Sequence, residues 1–205
     1  MIGVIDYGMG NLRSVMNAIE HVGFQGQLVD EPGHLDDCDH LVVPGVGAFP
    51  KAMENLHARG LVVPIRAYAA AGRPLLGICL GMQVLATTGY ESDRCEGLDL
   101  ISGDVTLLPV KQATALPHVG WNSVTLVREH PVFAGVRRDV DFYFVHSYAF
   151  KPTHTDALLG VTDYDGPFAA AVGQGSVLGL QFHPEKSQVA GLRLLEQFCR
   201  WDGLC

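Results

Sequence analysis

The sequence contains no Cys-x-x-Cys pair, and its five cysteines, Cys38, Cys79, Cys95, Cys199 and Cys205, are scattered and odd in number. That argues against a zinc site of paired thiolates and against a disulfide framework, and it suits a reducing compartment. Basic runs are missing too: Lys and Arg number 14 against 22 Asp and Glu, for a net charge of −8. Nucleic acid is therefore not an expected partner. No apolar stretch reaches bilayer length; residues 61–71 are too few and include Arg66. The start, Met1 to Asp6, enters a strand pattern at once and lacks the basic head and apolar core of a secretory signal. A cytoplasmic protein is the expectation. Repeats, low-complexity tracts and long linkers are also lacking, so residues 1–205 are expected to form one domain. At 48% hydrophobic and 18% charged residues, the chain has the composition of a compact fold with a full core.

What is present is an alternation of strand and helix patterns. Ile2–Ile5 reads as a buried strand, and 27–30 and 40–43 read as further strands. Residues 11–22 form an amphipathic helical pattern with Leu12, Val15, Met16 and Ile19 on one face and Gly23 as its stop. Residues 49–58 and 62–71 are helical in pattern, Pro64 being tolerable in a first turn. A strand over 74–78 and a helix over 82–87 follow. This rhythm predicts an α/β fold of three layers, a mostly parallel central sheet with helices on both faces. The C-terminal half adds antiparallel strands: 105–108, 124–127, 142–148, 157–162, and a hairpin over 168–182 with its turn at 173–175. Residues 187–201 read as a closing helix with Ser187 as N-cap.

Two fragments carry chemistry. Cys79 stands in Gly77-Ile78-Cys79-Leu80-Gly81, between a buried strand and a helical pattern, the context of a nucleophile elbow. The glycines relieve crowding at the tight turn, and a helix N-terminus beneath the sulfur favours the thiolate. Taken alone, such a cysteine is more often a small buried hydrophobe. His183-Pro184-Glu185 shifts the balance, because a Cys–His pair needs an imidazole held by a third group. On an extended segment the i and i+2 side chains share a side, and Pro184 stiffens the pair. His-x-Glu also occurs in zinc deaminases, but the Cys-x-x-Cys that completes their metal site is absent. Tyr7-Gly8-Met9-Gly10-Asn11 begins like a dinucleotide fingerprint, but Arg13 occupies the third glycine position, so nucleotide binding is discounted. Pro44-Gly45-Val46-Gly47 is by itself an ordinary strand-to-helix loop. Beside a nucleophile, its backbone N–H groups can serve an oxyanion. His146 reads as a hydrogen-bonded core histidine, and Trp121 is ambiguous between core and interface.

Gly77-Ile78-Cys79-Leu80-Gly81-Met82-Gln83, Pro44-Gly45-Val46-Gly47 and Gln181-Phe182-His183-Pro184-Glu185-Lys186 together resemble the class I glutamine amidotransferases. Asp6 to Asn11, Pro117-His118-Val119-Gly120-Trp121-Asn122, Tyr143 to Tyr148 and Glu185-Lys186-Ser187-Gln188 resemble the glutaminase subunits of imidazole glycerol phosphate synthases, with Val119 departing where Met is expected. The resemblance runs from Asp6 to the last helix. It implies a flavodoxin-like sheet and hydrolysis of L-glutamine to glutamate and ammonia for histidine biosynthesis. The implied triad is Cys79, His183 and Glu185, with oxyanion donors at Val46, Gly47 and Leu80. Gly45, Gln83, Glu91 and Ser147 are the implied glutamine-binding residues, joined by Gly47. The ammonia would pass to a separate (β/α)8-barrel cyclase bound as a heterodimer through Asn11, Trp121, Tyr143 and Lys186. No cofactor, metal, nucleic acid or membrane is implied. A glutaminase for pyridoxal phosphate or anthranilate synthesis, and a stand-alone cysteine γ-glutamyl hydrolase, are the competing readings.

Overall fold

The computed structural model describes residues 1–111, 114–137 and 139–204; Cys205 lies outside them. The first half builds β1 (Ile2–Ile5), α1 (Leu12–His21), β2 (Gly26–Val29), β3 (His40–Gly45), α2 (Phe49–Ala58), α3 (Val62–Ala70), β4 (Leu75–Cys79) and the single-turn α4 (Leu80–Gln83). Two short strands follow, β5 (Thr88–Gly89) and β6 (Cys95–Glu96), then β7 (Gly103–Leu107), β8 (His118–Leu126), β9 (Val140–His146) and β10 (Tyr148–Pro152). The chain closes with β11 (Leu158–Asp163), β12 (Pro167–Gln174), β13 (Val177–Leu180) and α5 (Gln188–Arg200).

Among the described residues the strands form a nine-stranded sheet in the order β2-β1-β3-β4-β13-β12-β11-β8-β9 and a four-stranded sheet in the order β10-β7-β5-β6. The five strands β2 to β13 pair in parallel, and the remaining four continue antiparallel. Successive side chains of a strand point to opposite faces. Leu41 and Val43 accordingly join a core with Phe49, Met53 and Leu56 of α2 and Ile65 of α3. Val42 joins a second core with Val15 and Ile19 of α1 and Leu194 and Phe198 of α5. The expected three layers, with a parallel centre and an antiparallel C-terminal extension, are what the chain forms.

Several local expectations are corrected. The helix over 82–87 stops at Gln83. The carbonyls of Val84, Leu85 and Ala86 are instead taken by the N–H groups of Leu98, Leu100 and Asp99, a long-range capture that periodicity does not reveal. The strand over 142–148 breaks at Ser147, so that β9 and β10 enter different sheets. Strand β8 begins at His118, well before the expected 124. Gly173 lies inside β12, and the hairpin turns at Gly175-Ser176. Asn11 is the N-cap of α1 and accepts from Ser14 N at 3.3 Å. Ser187 makes no side-chain cap bond to α5. Its hydroxyl donates to His183 O at 2.6 Å and accepts from Tyr143 N at 3.0 Å, tying the turn after β13 to β9.

Candidate active site

The C-terminal ends of parallel strands gather on one edge, where α/β folds bind ligands. Here that edge collects the loop after β1, the end of β3, Cys79 at the end of β4, and Gln181 to His183 after β13. Cys79 is a non-glycine residue at φ 55°, a conformation that costs about 1–3 kcal/mol and persists only where the surroundings enforce it. They do: a Cβ on Gly81 would lie 1.7 Å from Val43 O, and one on Gly77 would lie 2.5 Å from Gly81 O. The two glycines let α4 turn back directly over β3 and β4. With α4 only one turn long and buried throughout, the helix offers the N–H groups of its first turn rather than a long macrodipole.

His183 is 2% exposed and extended at φ −100°, and Pro184 opens a 3-10 turn over Pro184–Lys186. The pair therefore meets across a turn rather than along an extended segment, with His183 Nδ1 2.8 Å from Glu185 Oε1. A carboxylate accepts, so this bond puts hydrogen on Nδ1 and directs Nε2 to the chemistry. Nε2 is buried and has no hydrogen-bond partner. Burial disfavours a charged imidazole, but the Cys79 sulfur and the Glu185 carboxylate outweigh it and push the His183 pKa up to about 9. A proton leaving Cys79 is thus held on His183 at neutral pH. Gly191 lets α5 seat against this turn, since a Cβ there would be 2.0 Å from Pro184 O.

Beside Cys79 lies a cavity of about 300 Å³ whose walls include Val46, Gly47, Leu80, Gln83, Glu91 and Ser147. Six of the expected oxyanion and substrate residues are therefore together. The seventh, Gly45, is buried behind the cavity, paired in register with Cys79, and a Cβ on it would meet the Tyr7 hydroxyl at 2.3 Å. Glu91 also caps α2, its Oε2 accepting from Phe49 N at 2.5 Å. A larger cavity of about 630 Å³ beside His130 and Pro131 has no cysteine, serine or threonine in its walls.

Sequence reasoning missed four contributors. Tyr7 is buried and donates to Pro44 O at 2.7 Å, anchoring the glycine loop; burial and then the Cys79 sulfur raise its pKa, so it stays a donor. Gln181 Nε2 and Val145 O each lie 3.8 Å from Cys79 Sγ. His146 is buried and hydrogen-bonded as expected, yet it also lines the cavity. Gln181 stands two residues before His183, which is the one signal that pointed to it.

The expected interface residues lie along the same edge. Trp121 is 48% exposed and packs edge-on to Tyr143 with ring centroids 6.1 Å apart. Lys186 Nζ sits 5.8 Å from the Tyr143 ring centroid, and that ring lies 6.5 Å from His183. Asn11 is exposed at the start of α1. Among the described residues, no group of three or more His, Cys, Asp or Glu side chains is arranged to hold a metal ion, and no helix is long and apolar enough to cross a membrane.

Residues 3–200 match the family described as glutamine amidotransferase class-I. The imidazole glycerol phosphate synthase subunit HisH of Symbiobacterium thermophilum is 48% identical over 97% of this chain and 93% of that protein. Its counterpart from Moorella thermoacetica is 45% identical over 96% and 93%. Among solved structures, one described as a glutamine amidotransferase superposes with a TM-score of 0.77 over 99% of both chains at 21% identity, a likeness of fold. With its elbow cysteine, its His–Glu pair and this similarity along almost its whole length, the chain belongs to the class-I glutamine amidotransferase family, in the group of imidazole glycerol phosphate synthase HisH subunits.

Proposed function

We propose that this chain is the glutaminase of an imidazole glycerol phosphate synthase, acting as a single domain in the cytoplasm and delivering ammonia to a separate (β/α)8-barrel cyclase. The observation that carries this reading is the meeting of three groups at one sheet edge: the strained Cys79 elbow, the buried His183–Glu185 pair at 2.8 Å and a cavity beside them.

Cys79 is the nucleophile and gives its proton to His183. The thiolate adds to the side-chain amide carbon of glutamine, forming a C–S bond and moving the carbonyl electron pair onto oxygen. Backbone N–H groups at Leu80 and in the Val46-Gly47 loop receive that oxyanion. The C–N bond then breaks, and His183 returns its proton to the leaving nitrogen, which departs as ammonia. Water adds to the γ-glutamyl thioester while His183 takes a proton from it. The C–S bond breaks, glutamate leaves, and the proton returns to the sulfur. Gln83, Glu91 and Ser147 line the glutamine site, with Gly45 shaping it from behind.

The test is Cys79→Ala assayed with the cyclase. Glutamine-dependent turnover should fall on the order of 1000-fold or more, as for loss of other covalent nucleophiles. Turnover on added ammonium salt should be unchanged. Near-parental glutaminase activity in that variant would overturn the assignment.

A further inference from the structure

Gln181 has no exposed surface and sits beside the nucleophile, where a simple structural tie would explain its burial. The directions of its hydrogen bonds point to more. They are fixed from Tyr148 O, a backbone carbonyl that can only accept. His146 Nδ1 lies 2.8 Å from it and Gln83 Nε2 lies 2.9 Å from it, so both must be donors. Turning the Gln83 amide round would set oxygen against oxygen. The second hydrogen of Gln83 Nε2 faces Gln181 at 3.1 Å, and the atom receiving it is Gln181 Oε1. Turning that amide round would set donor against donor. Gln181 Nε2 is therefore the end directed at Cys79 Sγ, 3.8 Å away.

We propose that Gln181 is a catalytic residue whose side-chain N–H stabilises the Cys79 thiolate, and that Gln83 is the positioning residue that holds its amide in that orientation. This rests on Cys79 being the nucleophile. The other polar group at 3.8 Å, Val145 O, can only accept and so favours the protonated thiol. Gln181 opposes it with a neutral donor whose effect does not depend on the charge of His183. That matters twice in the reaction. The thiolate needs a donor when His183 has just taken its proton, and again when sulfur leaves the thioester while His183 is handling the proton of water. The same geometry assigns a polarity to Gln83. Both hydrogens of its nitrogen are engaged within the protein, so its Oε1 is the group it can offer to substrate, as an acceptor.

The experiment is alkylation of Cys79 by iodoacetamide in the full chain, followed by peptide mass analysis across pH 6 to 9. The readout needs neither glutamine nor the cyclase. Gln181→Met keeps the side-chain length and removes the donor; Gln181→Glu replaces the donor with a repelling oxygen. A hydrogen bond to a charged group is strong enough that Gln181→Met should slow alkylation at pH 7 by about tenfold or more. Gln181→Glu should slow it further, and both pH profiles should move upward. Gln83→Met, which leaves the Gln181 amide without its guide, should give a smaller loss and covers the case in which the Gln181 variants do not fold. A folded Gln181→Met or Gln83→Met with the parental rate and pH profile overturns the proposal. If Cys79 in the parent reacts no faster than free glutathione, the nucleophile assignment itself falls, and this proposal with it.

Discussion

The Glu185 carboxylate has one oxygen on His183 and the other, Oε2, buried without a partner. A group so placed orients and charges the imidazole; it does not face the cavity. Glu185→Gln retains a side-chain oxygen that can accept from Nδ1, whereas His183→Ala removes the base. Single-turnover thioester formation should therefore be slowed less by Glu185→Gln than by His183→Ala, and equal or greater damage would contradict the orienting role. The pair also affects stability. Burial penalises the charged imidazole, yet Cys79 and Glu185 raise its pKa from an ordinary 6.5 to about 9. The stability gained from protonation is complete below pH 6.5 and is lost as pH rises through 9. The stability gap between parent and Glu185→Gln in urea titrations should accordingly narrow between those values.

At the scale of elements, the elbow depends on two backbones nearly touching. Gly81 needs its missing Cβ because Val43 O occupies that space, not because of an unusual dihedral angle. Gly81→Ala would have to push α4 away from β3. Overpacking of this kind costs about 1–3 kcal/mol and sometimes more. The variant should melt several degrees lower, and its Cys79 should lose alkylation rate even at temperatures where the chain remains folded. Unchanged thiol reactivity would show that the glycine serves packing alone. The break at Ser147 works at the same scale. It leaves β9 in the large sheet and sends β10 into the small one, so that Val145, Ser147 and Tyr148 all line the cavity where the chain changes sheets.

Across the whole molecule, Trp121, Tyr143, Lys186 and Asn11 share the edge that holds Cys79. An exposed Trp121 beside a half-buried Tyr143 suits a binding hot spot. Val46, 42% exposed in the glycine loop, reaches the same surface. Gly47 beside it has φ +112°, a conformation glycine adopts freely, so the loop can reorient a peptide N–H when a partner docks. Loss of one oxyanion donor costs about 100- to 1000-fold, enough to keep the free chain nearly silent. Glutaminase rates should rise when the cyclase is added and rise again with its nucleotide ligand. Equal rates in all three conditions would reject activation by docking and favour a stand-alone hydrolase.

The sequence by itself determined the layered α/β plan, because apolar runs in the first half mark strands buried on both faces and period-3.6 patterns mark helices buried on one. It also singled out Cys79, His183 and Glu185 as candidates, since Gly77-x-Cys79-x-Gly81 and His183-Pro184-Glu185 are local motifs of a few adjacent residues, and the fold brings them to one sheet edge. Tertiary structure decided the rest. It ended α4 at Gln83 by giving the following carbonyls to the N–H groups of Leu98 to Leu100, turned Ser187 from an expected cap into a tie between two segments, and withdrew Gly45 behind the cavity. It also aimed Gln181 at the sulfur through Gln83 and Tyr148. Each of these rests on a hydrogen bond or close contact between residues far apart in the chain, and local pattern carries no information about which distant carbonyl a given N–H will find.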